Sequence, residues 1–569
     1  MDLVECGSGK IHESIDKLPS SEQDLKTHSK DAQRSELSTF NSSIGVLLSC
    51  LGCVIGTGNI WRFPRIIATA SYSQGSLTFL IAWAMSLFVW SLPLSIVEYT
   101  LGRFTRTSPL GAFHRFLGNK LVWLGGWIVA VTYMITAYFS VIVGWCLYYF
   151  YKSCALSSLP RDVETSIKIF NEFAQESYWP ALTHTLAVVI VGGCIFGGIK
   201  WIEKANMVLV PMLLGILVFT FGWSLTRKYS EVGITFLFTP YWGSMFTPSL
   251  WVAAASQNAF DTGAAMALFI SYSSYFSRKN GAVRLGTMIP LCNNMSSNKN
   301  NNNITMMPLL CALTIFSTVF STLIQTSPTL TRSGILKIMQ SNGPGSTGLT
   351  FTWIPVLFAY VGGLGRVLCS LFFLSKDLGL SHRQAAFAGL FLTLVFGMPS
   401  AISINVLTNQ DNVWGFALML SGLSMAGLII IYGPMKYRKV IVNDFGIDDW
   451  KLPVVWVFMI SVLVPLSGTG LIIWWAYDLI KSNPKWYQLT LDSMTTTLLE
   501  WLIVFLILIT VNAIAVWRNI DFFHKDKQNG YDPHNPDYIP KDELQSFDEF
   551  FIVSSDSVNI SRNQMRTHL

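Results

Sequence analysis

The spacing of apolar runs constrains this chain more than any other feature. Twelve segments near or above 18 residues pass with almost no charge, at about 43–68, 77–101, 121–150, 180–199, 206–226, 249–276, 286–325 (interrupted), 350–375, 384–404, 412–434, 452–480 and 494–517. Each can cross a hydrocarbon core of about 30 Å. A lone span finds no water for its backbone N–H and C=O groups, so each must be helical. The expected fold is an all-α polytopic membrane protein with about 12 transmembrane helices. Composition agrees, with 51% hydrophobic and 13% charged residues and a mean hydropathy of +0.44. A soluble domain carries about 25% charged residues.

The charges that remain are unevenly placed. Residues 1–40 hold five Lys/Arg and eight Asp/Glu, and residues 519–569 hold five and nine. Both ends read as acidic solvated tails flanking a basic core at 41–518. With both tails inside, the inner loops hold fifteen Lys/Arg and the outer loops nine, the asymmetry expected of cytoplasmic termini. The expected location is the plasma membrane. The polar first 40 residues give no cleaved signal peptide. No basic run is interleaved with aromatics, so nucleic acid is not an expected partner. The nine cysteines form no CxxC pair in a polar loop, so neither zinc nor a disulfide framework is signalled. The eight histidines lie in tails, loops or near span ends, without convergent acid/base partners. An enzyme is not expected.

Segment one contains Gly52, Gly56 and Gly58 with Asn59 beside them. Three glycines cost about 1 kcal/mol each in a helix. They indicate either an unwound stretch or a packing face of small residues. Unwound backbone at membrane depth is tolerated where it lines a cavity, and its carbonyls can coordinate a cation. Segment six reads Ser256-Gln257-Asn258-Ala259-Phe260-Asp261-Thr262-Gly263. A carboxylate at depth costs several kcal/mol unless paired or bound to a cation, so Asp261 is a candidate site residue. Segments one and six are both interrupted and lie five apart, as two inverted five-helix repeats with a midplane site require. Glu98 in segment two either braces unwound amides or marks the inner interface. Segment seven is broken by an Asn-rich tract at 298–310. It reads as an inserted loop or a misassigned exon, and removing it would leave one continuous span.

Gly56-Thr57-Gly58-Asn59-Ile60-Trp61-Arg62-Phe63-Pro64 resembles the first-helix signature of the neurotransmitter:sodium symporters (solute carrier family 6). Pro93 to Glu98, Tyr138-Phe139-Ser140 to Gly144-Trp145, Gln257 to Gly263 and Ser271 to Tyr275 resemble helices two, three and six of the same family. The short loop between segments three and four, with only Cys154, and the Asn-Ala-Phe-Asp-Thr-Gly run resemble its bacterial-type subgroup. The resemblance spans about residues 40–520. It implies two inverted five-helix repeats with unwound helices 1 and 6, plus two further helices, and sodium-driven uptake of an amino acid or related compound.

Site residues follow from the resemblance, position by position. A first sodium ion would be held by Val54, Asn59, Asp261 and Asn293. A second would use Gly52, Ile55 and Ala359, with side-chain positions at Gly362 and Gly363, which carry no oxygen. One or two Na+ are thus implied. The substrate pocket would be lined by Val54, Gly56, Gly58, Ile135, Phe139, Phe260, Gly263, Ala264 and Met266. Gly56 resembles carriers of amino acids, whose substrate brings its own carboxylate. Phe139 replaces the tyrosine that holds that carboxylate. Asp261, with Gln257 one turn earlier and Ser297 near by, stands where other members place chloride, so chloride-independent transport is expected. Arg62 matches an outer gate whose acidic partner falls on Asn412, with Asp411 adjacent. Tyr275 and Asp377 match an inner gate, whose amino-terminal partners fall on Phe40 and Leu37, with Arg34 a turn earlier. The substitutions at Phe139, Gly362 and Gly363 leave a second reading, a non-transporting sensor or accessory protein of the same fold. No residue indicates an oligomeric state.

Overall fold

The computed structural model describes residues 43–54, 58–155, 159–195, 199–298, 301–305, 307–359, 383–482, 485–491, 493–520 and 530–535. Segment one consists of two helical pieces. Helix α1 is Ser43–Val54. Gly58–Arg62 forms a wide helical turn that continues as α2, Phe63–Ala70, with Pro64 in its first turn, where a missing N–H is harmless. Helix α3 is Leu77–Thr105. It widens at Leu87–Ser91, just before Pro93, whose ring would otherwise press on the carbonyl one turn back.

Helix α4 (Pro109–Leu117) starts at Ser108, whose Oγ accepts the Gly111 amide at 3.3 Å. Helix α5 is Val122–Ala155, and α6 is Val163–Ala174. Asp162 caps α6 by accepting the Thr165 amide at 2.7 Å. That bond holds its carboxyl below the usual range. Then come α7 (Trp179–Ile195), α8 (Ile199–Leu225) and α9 (Ser230–Leu237).

Segment six is broken in its middle. Helix α10 (Pro248–Thr262) stops at Gly263, and α11 runs Leu268–Ser273. Between them Gly263, Ala265 and Ala267 have φ of +67°, +67° and +57°. Alanine is strained there by roughly 1–2 kcal/mol.

Segment seven gives α12 (Ala282–Met295) and α13 (Met307–Thr326). The stretch between them is extended within an otherwise all-α fold. Ser296–Asn298 (β1) and Asn301–Thr305 (β2) pair antiparallel as a hairpin. A polar tract unsuited to a lipid-facing helix thereby pairs backbone groups within itself. Helix returns at Met307, earlier than the sequence boundary of 310. The remaining helices are α14 (Arg332–Gln340), α15 (Leu349–Ala359), α16 (Arg383–Ile402), α17 (Ile404–Tyr432), α18 (Val455–Lys481) and α19 (Met494–Trp517).

Among the described residues, seven helices are long and apolar enough to cross a membrane, and four shorter apolar helices accompany them. Two groups of helices surround the broken segments. Helix α3 lies against α10, α11 and α12, while α5 packs on α7, α16 and α17. The α3–α11 approach is close, since a Cβ on Gly102 would lie 2.3 Å from the Ile270 carbonyl oxygen. Helix α19 buries only Met494, Thr497 and Trp501. Most of its other side chains are exposed or half-buried, and Phe505 stacks on Trp127 at 4.0 Å.

Candidate ion and substrate site

The end of α1 meets the break in segment six. A Cβ built on Gly263 would stand 3.7 Å from Val54 Cγ1 at the end of α1. Asn59 is fully buried just beyond. Thr132 of α5 donates to the Met266 carbonyl at 2.6 Å, satisfying one acceptor freed by the break. From the other side, Glu98 of α3 is fully buried and accepts the Phe269 amide at 3.1 Å. Its carboxylate also faces the amides of Ala265, Met266 and Ala267. Glu98 thus lies against the break in segment six. The carboxylate thereby accepts an amide at the start of α11 that has no acceptor in the preceding turn.

Asp261 closes the last turn of α10. Its Oδ2 accepts the Trp83 indole N–H at 2.8 Å, and its Oδ1 accepts the Gln257 amide at 2.8 Å. Gln257 faces both ways, because its Oε1 accepts from Arg62 Nη1 at 2.6 Å. Arg62 in turn donates from Nε to Asp411 Oδ1 at 2.8 Å, with Ser256 Oγ 3.4 Å from Nη2. Its guanidinium lies 4.1 Å above the Phe260 ring. Asp411 is completed by Arg65 Nη2 and by the Tyr138 hydroxyl at 2.9 Å. A continuous chain thus runs Asp411, Arg62, Gln257, Asp261, Trp83, with Arg62 2% exposed and Asp261, Gln257 and Asp411 at zero. Two arginines and two carboxylates share this dry region, and such groups persist there only as a matched, hydrogen-bonded set. Of the two partners left open for Arg62, the structure uses Asp411. Asn412 is half-buried on the adjacent helical position.

Phe139 lies among aromatic rings. It meets Trp61 edge-on at 6.1 Å and lies nearly parallel to Phe260 at 6.4 Å. Ile135 of α5 and Phe260, Ala264 and Met266 of segment six are buried. Trp61 is fixed by its indole N–H, which donates to the Thr347 carbonyl at 2.8 Å.

Several expected residues are not described. Ile55, Gly56, Gly362, Gly363 and Asp377 lie outside the described residues, as do Leu37, Phe40 and Arg34. Asn293 and Ser297 are described by backbone alone, and so is Gly58. Gly52 packs on α8, with the Asn206 amide 2.9 Å from where a Cβ would stand. Ala359 ends α15, and Tyr275 follows α11, half-buried. Sequence reasoning did not single out Trp83, Arg65 or Thr132. A signal existed for Trp83, because a buried Asp261 needs donors from an adjacent helix and an indole N–H is one of few that an apolar span offers.

The chain is similar to known proteins along most of its length. It is 28% identical to an uncharacterized sodium-dependent transporter of Methanocaldococcus jannaschii, over 78% of this chain and 87% of that one. It is 26% identical to the sodium-dependent neutral amino acid transporter B(0)AT1 of Mus musculus, over 44% of this chain and 43% of the relative. The crystal structure of MhsT in complex with L-phenylalanine matches with a TM-score of 0.65 at 22% identity, over 77% of this chain and 99% of MhsT. The fold is therefore that of MhsT, two inverted repeats around broken helices. The model of the sodium:neurotransmitter symporter family matches residues 37–169 and 161–381, and this chain is a member of that family of sodium-dependent membrane transporters.

Proposed function

We propose that the chain imports a small neutral amino acid or a related compound with sodium, by alternating access, and without chloride. The observation that carries this reading is the environment of Asp261. Its two oxygens take the Trp83 and Gln257 N–H groups, donors that could otherwise hold an anion. A carboxylate built into the protein supplies the negative charge that balances co-transported sodium. Asp261 brings carboxylate oxygens of the kind a hard cation prefers.

In this reading Val54, Asn59, Asp261 and Asn293 receive the first sodium ion. Gly52, Ile55 and Ala359 offer backbone carbonyls to a second, with no side-chain oxygen at Gly362 or Gly363. The substrate lies between Val54, Gly56 and Gly58 on one side and Ile135, Phe139, Phe260, Gly263, Ala264 and Met266 on the other. Arg62 and Asp411 close the outer path, Tyr275 and Asp377 stand on the inner path, and Glu98 braces the break. Both termini face the cytoplasm of a plasma membrane. Mouse B(0)AT1 is named for neutral amino acids, and MhsT was crystallised with L-phenylalanine, which supports the substrate class.

The test is uptake of a panel of labelled amino acids into proteoliposomes, with sodium and chloride replaced separately. The expected result is flux that needs sodium, ignores chloride, and is lost in Asn59→Ala and Asp261→Ala. Absence of flux for every substrate would end the transport reading. Equal loss on removing either ion would end chloride independence.

A further inference from the structure

Segment twelve carries a single carboxylate. Glu500 is the only Asp, Glu, Lys or Arg in α19, Met494–Trp517. It stands roughly 9 Å along the axis from the start of the helix and is half-buried. A polar group on a helix this apolar persists where it has a partner. The partner lies on α17. Glu500 Oε2 accepts from Gln410 Nε2 at 3.1 Å, and Gln410 Oε1 accepts the Trp414 indole N–H at 2.7 Å. The same Gln410 nitrogen donates to Asn409 Oδ1 at 3.0 Å.

The frame that carries Glu500 is tied down. Ser493 caps α19 by accepting the Thr496 amide at 3.2 Å. The Thr495 and Thr496 hydroxyls donate to the Trp486 and Thr490 carbonyls, each at 2.8 Å. Asn409 Nδ2 donates to the Leu491 carbonyl in the same loop. The Trp501 indole donates to the Val413 carbonyl at 3.2 Å. Asn409, Gln410 and Val413 of α17 are thus bonded to α19 and to the loop before it. Between them, Asp411 meets Arg62, Arg65 and Tyr138 on another side of the helix.

Successive residues of a helix point about 100° apart. Turning α17 by one position would offer Asn412 to Arg62 and withdraw Gln410 from Glu500. We propose that Glu500 is a positioning residue of the gate that Arg62 and Asp411 form. Acting through Gln410, it fixes the rotation of α17 so that Asp411, and not Asn412, faces the two arginines. Its effect on flux rests on the transport reading, whereas its effect on the Arg62–Asp411 contact does not.

A thermal double-mutant cycle on the full-length protein in detergent tests the positioning. Asp411→Asn is combined in turn with three changes on α19. Glu500→Leu removes the acceptor and leaves a side chain suited to an apolar helix. Glu500→Gln keeps an acceptor. Thr497→Ala removes a hydroxyl that bonds the Ser493 carbonyl instead. Independent sites add, and coupled sites do not. In the Glu500→Leu background, Asp411→Asn is expected to lower the midpoint roughly half as much as in wild type. In the other two backgrounds it should lower it by the full amount. Additivity of Glu500→Leu with Asp411→Asn would overturn the positioning, and so would equal coupling from Thr497→Ala. Uptake into proteoliposomes tests the gate, with flux expected to slow about tenfold in Glu500→Leu and to recover in Glu500→Gln. Unchanged uptake in Glu500→Leu would overturn its role in the gate. A wild type without flux would remove the transport reading, while the thermal cycle would still decide the positioning.

Discussion

Arg62 in the first helical segment reaches Asp411 of α17 at 2.8 Å across 349 residues of chain, and Arg65 takes the other carboxylate oxygen. Asp411 is fully buried, so it has no water with which to replace either partner. Breaking a buried pair by removing one member costs about 3–5 kcal/mol, because the remaining charge is stranded. Asp411→Asn is expected to lower the thermal midpoint and abolish uptake. Asn412→Ala, one position on, should change either by little. A functional Asp411→Asn with an inactive Asn412→Ala would reassign the outer gate to Asn412.

The Asp261 carboxylate leads to a prediction of altered ion dependence. Trp83 and Gln257 present two N–H groups to one carboxylate. Asp261→Ser removes the fixed negative charge and leaves the donors in place, aimed at a space that a halide could enter. Uptake by this variant is expected to require chloride, whereas wild-type uptake does not. Measuring both in chloride and in gluconate decides the matter. A variant that stays chloride-independent and active would show that Asp261 is not the balancing charge.

Strain is stored at the break in segment six. Ala265 and Ala267 hold φ of +67° and +57°, where glycine is free of the penalty alanine incurs. Ala265→Gly and Ala267→Gly should each raise stability by about 0.5–1 kcal/mol, after the extra unfolded-state entropy of glycine is deducted. Differential scanning fluorimetry in detergent would record a rise in midpoint. A fall for both would mean that the methyl groups are needed for packing against α3.

The sequence exposed much of this arrangement, for reasons that are physical. A membrane strips the choices down to helices, so apolar length alone indicated an all-helical membrane protein, and glycine with a buried charge marked the break in segment six. Asp261, Glu98 and Arg62 were legible because a charge in an apolar run requires a partner. Which partner was not legible. Asp411 and Asn412 are adjacent in sequence, and only the rotation of α17 turns the first toward Arg62 and Tyr138. Trp83 was hidden because a tryptophan in an apolar span looks like core until its N–H is seen to find Asp261. The hairpin at 296–305 escaped because an Asn-rich tract carries no period from which β pairing can be read.

Phe139 offers a test of the substrate class. It lies 6.1 Å from Trp61 and 6.4 Å from Phe260, ring to ring, so the pocket wall there offers no hydroxyl. If the substrate carries a carboxylate, Phe139→Tyr adds one donor to a charged acceptor. Such a bond contributes about 1–3 kcal/mol, equivalent to roughly 5- to 150-fold in affinity. Scintillation proximity binding should therefore show tighter binding of the transported amino acid to Phe139→Tyr. The decarboxylated amine of the same compound should bind both proteins equally. An amine that gains as much as its parent amino acid would place the new hydroxyl elsewhere than at the carboxylate, and would remove Phe139 from the carboxylate end of the pocket.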